Sequence, residues 1–239
     1  MAPVREVQTQ PSVWGEKMIT VRSAEVCKEL QSISAVSVPP ERVFLPEALG
    51  GQGQTVVSVP KCFVAFDARR ADPNQDTHDK KSSMIGGLDK YAEYAVLRAL
   101  QESGWQGRWI DNWKGPKFWK SLGELERTLP VGPAKVLFDE ICSYNPGRNR
   151  GRSWGCWDIF AWRDDSMLFV ECKRRKKDRL NDNQRGWLAA GLRMQQELRH
   201  LPPASFWIVE WQKRCPFCHN VIEDGLVDTC AQCKRDLPG

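Results

Sequence analysis

Two short apolar runs joined by four polar residues constrain the fold of this chain more than any other feature. They lie in GCWDIFAWRDDSMLFVECK, residues 155–173, where the runs 156–162 and 167–172 flank the connection RDDS. Runs of this length and composition predict strands, and so short a connection predicts an antiparallel hairpin. Because both runs are apolar on both faces, we expect the hairpin to be buried inside a sheet.

The hairpin places two acids opposite each other. Symmetric closure pairs residue 163 with 166 and, at the open end, Asp158 with Glu171. Opposed residues have Cβ atoms about 4.5–5.5 Å apart, which allows two carboxylates to share a hard divalent cation. Side chains alternate along a strand, so Glu171 and Lys173 point to the same face. Acid, acid and lysine predict a metal-assisted phosphodiester-cleaving site, and the alternative is a solvent-facing hairpin with an ordinary salt bridge.

A third acid lies in a predicted helix upstream. Residues 88–103, LDKYAEYAVLRALQES, repeat apolar side chains with helical spacing, and the glycine that follows them is a natural stop. Glu93 stands four residues before Leu97 and seven before Leu100, in an apolar row where an unpaired carboxylate is costly. Either Glu93 lies at the rim of this face or a cation faces it.

The positive charge of the chain is modest overall but concentrated in two places. The formal net charge is +5 at pH 7, the loop NPGRNRGRSWG precedes the hairpin, and KRRKKDR, residues 173–179, ends it. Next to a metal site such side chains suit a phosphate backbone, whereas alone they would indicate a solvated surface or a targeting signal. The residues that we expect to contact nucleic acid are Arg148, Arg150, Arg152, Arg174, Arg175, Lys176, Lys177 and Arg179.

The hairpin and the segment after it resemble a known family. Asp158, then Glu171-Cys172-Lys173, then DRLNDNQRGWL, residues 178–188, are similar to the VRR-NUC branch of the PD-(D/E)XK nucleases. In that branch an apolar strand carrying PD leads through a hairpin to EVK, then to DRLS and a helix bearing Gln and Trp. This chain departs from the pattern twice, because Trp157 replaces the usual proline and CKRRKKD replaces a glycine-containing turn.

The resemblance implies a role for each matched residue. Lys173 would orient the attacking water, Glu93 would hold a second metal or a metal-bound water, and Gln184 would support the site from the following helix. In such enzymes a divalent cation binds the scissile phosphate and activates a water. The expected ligands of Mg²⁺ or Mn²⁺ are the carboxylates of Asp158 and Glu171 and the backbone carbonyl of Cys172.

The same resemblance implies an α/β restriction-endonuclease-like core, with a mixed central sheet flanked by helices, and a DNA-hydrolysing enzyme. We expect this nuclease domain at residues 88–212, with an insert at about 105–154, after an N-terminal region 1–87 of unassigned function. Residues 181–199 predict a helix and SFWIVEW a strand, while AKVLFDEICSY fits either. Structured or branched DNA is an expected substrate, and RNA stays open. The alternative is a catalytically inactive nuclease-fold protein that binds nucleic acid or serves in assembly.

The C-terminal tail carries the most specific metal motif. CPFCHNVIEDGLVDTCAQC contains two CxxC pairs, Cys215/Cys218 and Cys230/Cys233. This spacing predicts four thiolates around one structural Zn²⁺ in a small zinc ribbon at residues 213–239. Redox-active CxxC pairs are the alternative. Ribbons bind nucleic acid or protein, so a homodimer or a protein partner at the ribbon or the N-terminal region also stays open.

Composition sets the outer bounds. With 239 residues and 41% hydrophobic content the chain can bury one sizeable core, and its nine cysteines, an odd number, argue for reduced thiols rather than a disulfide framework. No apolar run approaches the roughly 20 residues that span a bilayer, and the first residues lack the apolar core of a signal peptide. We therefore expect an intracellular protein without a membrane partner, cytoplasmic or associated with the nucleoid.

Overall fold

A mixed sheet of nine strands with helices on both faces forms the described part of the chain. The structure, a computed structural model, describes residues 23–46, 56–68, 92–111, 116–121, 124–147, 151–222 and 228–238. This arrangement agrees with the predicted α/β class with a central mixed sheet. No helix within these ranges combines the length and the apolar character needed to cross a membrane.

The elements follow one another as strands and helices of ordinary length. The helices are α1 (Ser23–Glu29), α2 (Ala92–Glu102), α3 (Pro133–Tyr144) and α4 (Asp182–Glu197), with a short 3-10 helix at Gln31–Ile33. The strands are β1 (Val36–Phe44), β2 (Val56–Asp67), β3 (Gln106–Asp111), β4 (Lys117–Ser121), β5 (Glu124–Glu126), β6 (Ile159–Arg163), β7 (Ser166–Arg174), β8 (Ala204–Arg214) and β9 (Val221–Ile222).

The centre of the sheet is parallel and its flanks are antiparallel. The strands are ordered β1-β2-β8-β7-β6-β3-β4-β5, and β9 pairs with β8. β8 runs parallel to both β2 and β7, and α4 is the crossover that carries the chain from β7 back to the start of β8. In open α/β sheets the carboxyl ends of such strands form the usual binding edge.

The predicted hairpin register is confirmed. β6 and β7 pair Arg163 with Ser166 and continue in step to Phe160 with Phe169 and Ile159 with Val170. The faces alternate as expected, since Phe160 and Phe169 stack in one core with ring centroids 4.5 Å apart while Ile159 and Val170 enter the other core. Each face of the hairpin therefore meets its own layer of helices.

The two cores hold the helices against opposite faces of the sheet. α3 and α4 pack on the face that carries Phe169, where Phe138 and Trp187 meet with ring centroids 5.4 Å apart. α1 and α2 pack on the other face, against side chains of β2, β6, β7 and β8. Gly191 lets α4 approach the sheet, because a Cβ there would lie 2.4 Å from Cζ of Phe206. Close packing of α4 fixes the position of its first turn.

Several strands lie where the sequence indicates only irregular chain. β1 contains Pro39 and Pro40 and is bulged between Val38 and Glu41, which is tolerated because β1 is the end strand of the sheet order. β3, β4 and β5 lie in the aromatic stretch expected to be an insert without a counterpart. The ambiguous segment AKVLFDEICSY is helical, as part of α3. The helix predicted at 181–199 and the strand SFWIVEW are confirmed as α4 and β8.

Strands from the predicted N-terminal region and from the nuclease region share this one sheet. β2 pairs with β8 from Lys61 opposite Ile208 to Asp67 opposite Arg214. β8 then runs directly into the cysteine-rich tail, and β9 of that tail pairs back onto Lys213 and Arg214. The division into regions with separate functions stays a prediction.

Candidate active site and metal centre

Three polar side chains meet at the carboxyl end of β7. Lys173 Nζ lies 2.8 Å from Glu171 Oε1 and donates a hydrogen bond to Gln184 Oε1 at 2.9 Å. Gln184 Nε2 donates to the same Glu171 oxygen at 2.5 Å. Glu171 is only 1% exposed. Its buried carboxylate is compensated by the Lys173 ammonium and by the hydrogen bond from the Gln184 amide. The structure thus brings together three of the predicted site residues.

Asp158 lies directly beside Glu171, as the register predicts. Its backbone N–H donates to Glu171 Oε2 at 3.3 Å, and its Oδ2 accepts from the Cys172 N–H at 2.9 Å. These side-chain bonds join the two chains just beyond Ile159 and Val170, the last backbone pair of the hairpin. Because the carbonyl of a strand residue points to the same side as its N–H, the Cys172 carbonyl also faces the Asp158 side. Two carboxylates and a backbone carbonyl therefore border the same space.

Burial and like charge act together on Glu171. Burial, and after it the negative charge of Asp158, raises the pKa of Glu171 well above its usual range, while Lys173 opposes the shift. A divalent cation would relieve both effects, and carboxylate and carbonyl oxygens are the ligands that Mg²⁺ and Mn²⁺ prefer. The donor set therefore fits a hard cation.

The neighbouring thiols do not contribute charge to this site. Burial and then Asp158 raise the pKa of Cys172 well above the usual value, and burial together with nearby thiols and acids does the same for the pKa of Cys156. Both side chains stay protonated near neutral pH, because the thiolate forms only above the pKa. The Cys172 side chain therefore adds no negative charge to this cluster.

Gln184 is oriented by a residue that the sequence-based prediction of the site did not include. Asn181 caps α4, with its Oδ1 accepting from the Gln184 N–H at 3.0 Å and its own N–H donating to Gln184 Oε1 at 3.1 Å. With Lys173 and Asn181 both donating to Oε1, the amide must turn its Nε2 toward Glu171. The signal was present in the sequence, since Asn followed three residues later by Gln is a capping-box pattern.

The departures from the family pattern have local structural explanations. Trp157 is fully buried, and its Nε1 donates to the Gln184 carbonyl at 3.1 Å, which ties the first turn of α4 to the hairpin. After Lys173 the chain turns without glycine, since Lys176 adopts φ 62° and Asp178 accepts from the Arg174 N–H at 3.2 Å. A hydrogen bond from the Arg174 guanidinium lowers the pKa of Asp178, so an ion pair between these two side chains closes the turn.

Glu93 is near the site but not in the same cluster. It lies half-buried in the first turn of α2, and its charge adds to the raised pKa of the Cys172 thiol, on the opposite face of β7 from Glu171. Among the described residues, the group of three or more potential ligands close enough to share an ion is the four tail cysteines. Glu93, Asp158 and Glu171 do not form a second such group.

The predicted nucleic-acid contacts differ in how they are placed. Arg148 and Arg150 lie outside the described residues, whereas the Arg152 side chain is 72% exposed and its Nη2 lies 3.7 Å from Asp139 Oδ1. Arg175 is exposed but packs its guanidinium 4.3 Å from the centroid of Phe63. Arg174 is bound to the Asp178 carboxylate, and the other exposed cations of this stretch are Lys176, Lys177 and Arg179.

The four tail cysteines converge as predicted. Their sulfur atoms all lie within 4.8 Å of one another, with Cys215 Sγ 3.7 Å from Cys233 Sγ and Cys218 Sγ 3.7 Å from Cys230 Sγ. Four sulfurs bound tetrahedrally at about 2.3 Å from one Zn²⁺ are about 3.8 Å apart. The cluster can therefore hold a metal ion such as zinc.

Both CxxC pairs have the same backbone turn. The Cys215 N–H donates to the Asn220 carbonyl and the His219 N–H to the Cys215 carbonyl, while Cys230 makes the equivalent bonds with Arg235 and Lys234. The residue four places after the first cysteine has a positive φ in each, 57° at His219 and 59° at Lys234. Backbone N–H groups of these turns lower the pKa of Cys218 to about 6 and also lower that of Cys230. The backbone N–H of Arg235 acts to lower the pKa of Cys233, but burial and the three neighbouring thiols raise this pKa to about 11. The turns thus favour the thiolate, the form that binds metal, at Cys218 and Cys230.

Comparison with protein-family models, with curated proteins and with solved structures finds no match to this chain.

Proposed function

We propose that this protein is a metal-dependent nuclease with a restriction-endonuclease-like core that hydrolyses phosphodiester bonds of DNA. The observation that supports this most strongly is the convergence of Asp158, Lys173 and Gln184 on the buried carboxylate of Glu171. An ordinary salt bridge does not need a second acid whose charge raises the pKa of the first. A hard-cation site does use a second acid beside the first, because two carboxylates can share one divalent ion.

In this proposal the hairpin holds the catalytic cation. Asp158, Glu171 and the Cys172 carbonyl would be its ligands, since they border the same space. When bound, Mg²⁺ or Mn²⁺ supplies positive charge to the scissile phosphate and lowers the pKa of a water. Glu93, on the neighbouring helix, would contact a metal-bound water rather than the ion itself.

Lys173 would position the attacking water or a phosphate oxygen. An ammonium carries three donors, and Lys173 uses two of them on Glu171 and Gln184. Its side chain is 12% exposed, so the third donor can reach a bound group with little competition from bulk water. Gln184 limits the motion of the ammonium, because its own amide is held by Asn181.

The exposed cations of the turn after β7 would contact the phosphate backbone. Lys176 and Lys177 follow Lys173 within four residues and lie at the same edge of the sheet. Phosphate contacts position the duplex without reading its sequence. We therefore propose a nuclease that recognises DNA structure rather than base sequence.

A catalytically inactive binding protein is the second candidate, and one observation favours it. The Glu171 carboxylate already has a cation and an amide donor, Lys173 and Gln184, without any metal. Such a satisfied network can be purely structural. Binding of DNA without cleavage in the presence of either metal would support this second function.

For the cysteine tail we propose a structural zinc ribbon. In the described part of the tail a small apolar cluster surrounds Cys215, Cys230 and Leu237, so a bound ion would supply most of its stability. All four ligand positions would be filled by protein, which leaves no open position for catalysis. The ribbon would therefore serve folding and binding.

The nuclease proposal is tested with a substrate panel. Plasmid, single-stranded, flapped and branched DNA and a matched RNA would be incubated with the purified protein and Mg²⁺ or Mn²⁺. We expect metal-dependent cleavage of at least one DNA substrate, lost in Asp158→Ala and retained in Asp165→Ala, an exposed acid at the far end of the same hairpin. Failure of the wild type to cleave any substrate with either metal would contradict the proposal.

A further inference from the structure

An exposed aromatic ring lies in the first cysteine turn with a guanidinium over it. Phe217, the third residue of CPFC, is 44% exposed. The Arg235 guanidinium carbon lies 5.4 Å from the centroid of that ring, within the range of a cation–π contact. The two residues come from different CxxC turns, so the pair depends on the folded tail.

Two cations of the second cysteine turn, Lys234 and Arg235, accompany this ring on the folded tail. His219, Lys234 and Arg235 are all exposed, and no carboxylate of the described residues forms an ion pair with Lys234 or Arg235. Asp236, the acid next to them, accepts a hydrogen bond from Thr229 Oγ1 at 2.9 Å. We name the set Phe217, His219, Lys234 and Arg235 the knuckle face.

We propose that the knuckle face binds single-stranded nucleic acid, with an unpaired base on Phe217 and its phosphates at Lys234 and Arg235. An exposed ring beside cations is the combination that single-strand binders use, because every base has a π-face to stack and every nucleotide a phosphate to neutralise. A protein docking surface would instead centre on a covered apolar patch with charges depleted at its middle. The Arg235 guanidinium at the Phe217 ring favours the nucleic acid.

The position of the knuckle face relative to the candidate active site adds a reason. Lys173 on β7 is in register with Glu210 on the parallel strand β8, and Cys215 follows five residues later. At about 3.3 Å per residue the tail begins roughly 17 Å beyond the catalytic lysine, at the same edge of the sheet. This inference rests on the proposed nuclease function, and it specifies the substrate as DNA with an unpaired segment beside the cleaved bond.

The test measures binding separately from cleavage. Fluorescence anisotropy of the zinc-loaded full chain with a labelled 20-nucleotide single strand and its duplex, in Ca²⁺ without Mg²⁺ or Mn²⁺, would compare wild type, Phe217→Ala, Phe217→Trp and the control Val221→Ala. Val221 is 55% exposed on the same tail. We expect Phe217→Ala to weaken single-strand binding about five- to a hundredfold, Phe217→Trp to restore it, and Val221→Ala to leave it unchanged. Zinc content should be equal in all four proteins.

The outcomes separate this inference from the proposed function. Unchanged single-strand affinity in Phe217→Ala, or equal loss in Val221→Ala, would overturn the knuckle-face inference even if the wild type cleaves DNA. Equal weakening of duplex and single-strand binding by Phe217→Ala would also overturn it, since a stacking platform acts on unpaired bases. If Phe217→Ala weakens single-strand binding alone and the wild type cleaves no DNA, the knuckle-face inference is supported and the nuclease proposal fails.

Discussion

Lys173 Nζ lies 2.8 Å from Glu171 Oε1, and both side chains belong to the same face of β7 at its carboxyl end. The pair is buried, so either partner alone would be an uncompensated charge in the core. Asp158 places a second carboxylate beside Glu171, and after burial its charge is the next cause of the raised pKa of Glu171. A divalent cation shared by the two carboxylates would relieve this repulsion, which leads to the first prediction.

Asp158→Asn should stabilise the metal-free protein and abolish its stabilisation by Mg²⁺. The raised folded-state pKa of Glu171 means that folding takes up a proton, so stability falls as pH rises from about 4.3 through the folded-state pKa. Asn still accepts the Cys172 N–H bond but removes the repulsion. Between about pH 5 and pH 8 we expect the stability of the variant to fall less than that of the wild type. Thermal unfolding at several pH values in that range would measure the difference.

The same experiment with metal provides the control. Millimolar Mg²⁺ should raise the melting temperature of wild type but not of Asp158→Asn, since a ligand stabilises the state that binds it. Asp165→Asn, at the exposed turn of the hairpin, should behave as wild type. An equal shift by Mg²⁺ in wild type and Asp158→Asn would count against a cation at the hairpin.

Asn181→Ala should affect both stability and turnover. Loss of an Asn cap costs about 0.5–2 kcal/mol of unfolding free energy, and it also frees the Gln184 amide to rotate away from Glu171. We expect a tenfold or greater fall in kcat with a small change in KM, because Gln184 acts on the catalytic groups rather than on remote binding. Urea unfolding and steady-state kinetics would measure the two effects.

Asn181→Ser is the matched variant for that test. Serine also caps helices well, so it should keep most of the stability and restore the position of Gln184. A kcat for Asn181→Ala equal to that of wild type would show that Asn181 is only a cap.

Lys176→Gly should separate stability from DNA affinity. Lys176 holds φ 62°, a conformation that costs a non-glycine residue about 1–2 kcal/mol, while glycine loses roughly 0.5–1 kcal/mol more chain entropy on folding. Stability should therefore be equal or slightly higher. Binding of duplex DNA should weaken, and the slope of log K against log salt should fall by about 0.9 for one lost phosphate contact. A salt slope equal to that of wild type would exclude Lys176 as a phosphate contact.

Metal analysis should find about one Zn²⁺ per chain. The double variant Cys215→Ser and Cys218→Ser should lose it, because two of the four converging sulfurs are removed. Cys27→Ser, a half-buried thiol on α1, should keep the zinc. Zinc retained by the double variant would refute the ribbon.

Local patterns in the sequence predict the hairpin and the following helix well. The register of β6 and β7 follows from one short connection and from the alternation of side chains, which are properties of neighbouring residues. The cysteine cluster is equally local, because CxxC spacing places two sulfurs on one turn. The opposition of Asp158 and Glu171 therefore follows from the amino-acid sequence alone.

Features that depend on distant partners could not be predicted in this way. β1 contains two consecutive prolines and exists as a strand because β2 supplies its hydrogen-bond partners. The packing of Arg175 on Phe63 joins residues far apart in sequence, so no local sequence pattern predicts it. Asn181 is a different case. Its capping box is visible in the sequence, but its link to the candidate site depends on the contacts of Gln184 with Lys173 and Glu171 in the fold.

The most direct test of the nuclease proposal is single-turnover cleavage by Lys173→Met, with Lys120→Met, an exposed lysine of β4, as the control. Removal of a positioned catalytic group typically costs about 10²–10⁴ in rate. We expect that loss for Lys173→Met and for Asp158→Asn, and less than about a threefold change for Lys120→Met. Cleavage by Lys173→Met and Asp158→Asn at the wild-type rate would contradict the proposed active site.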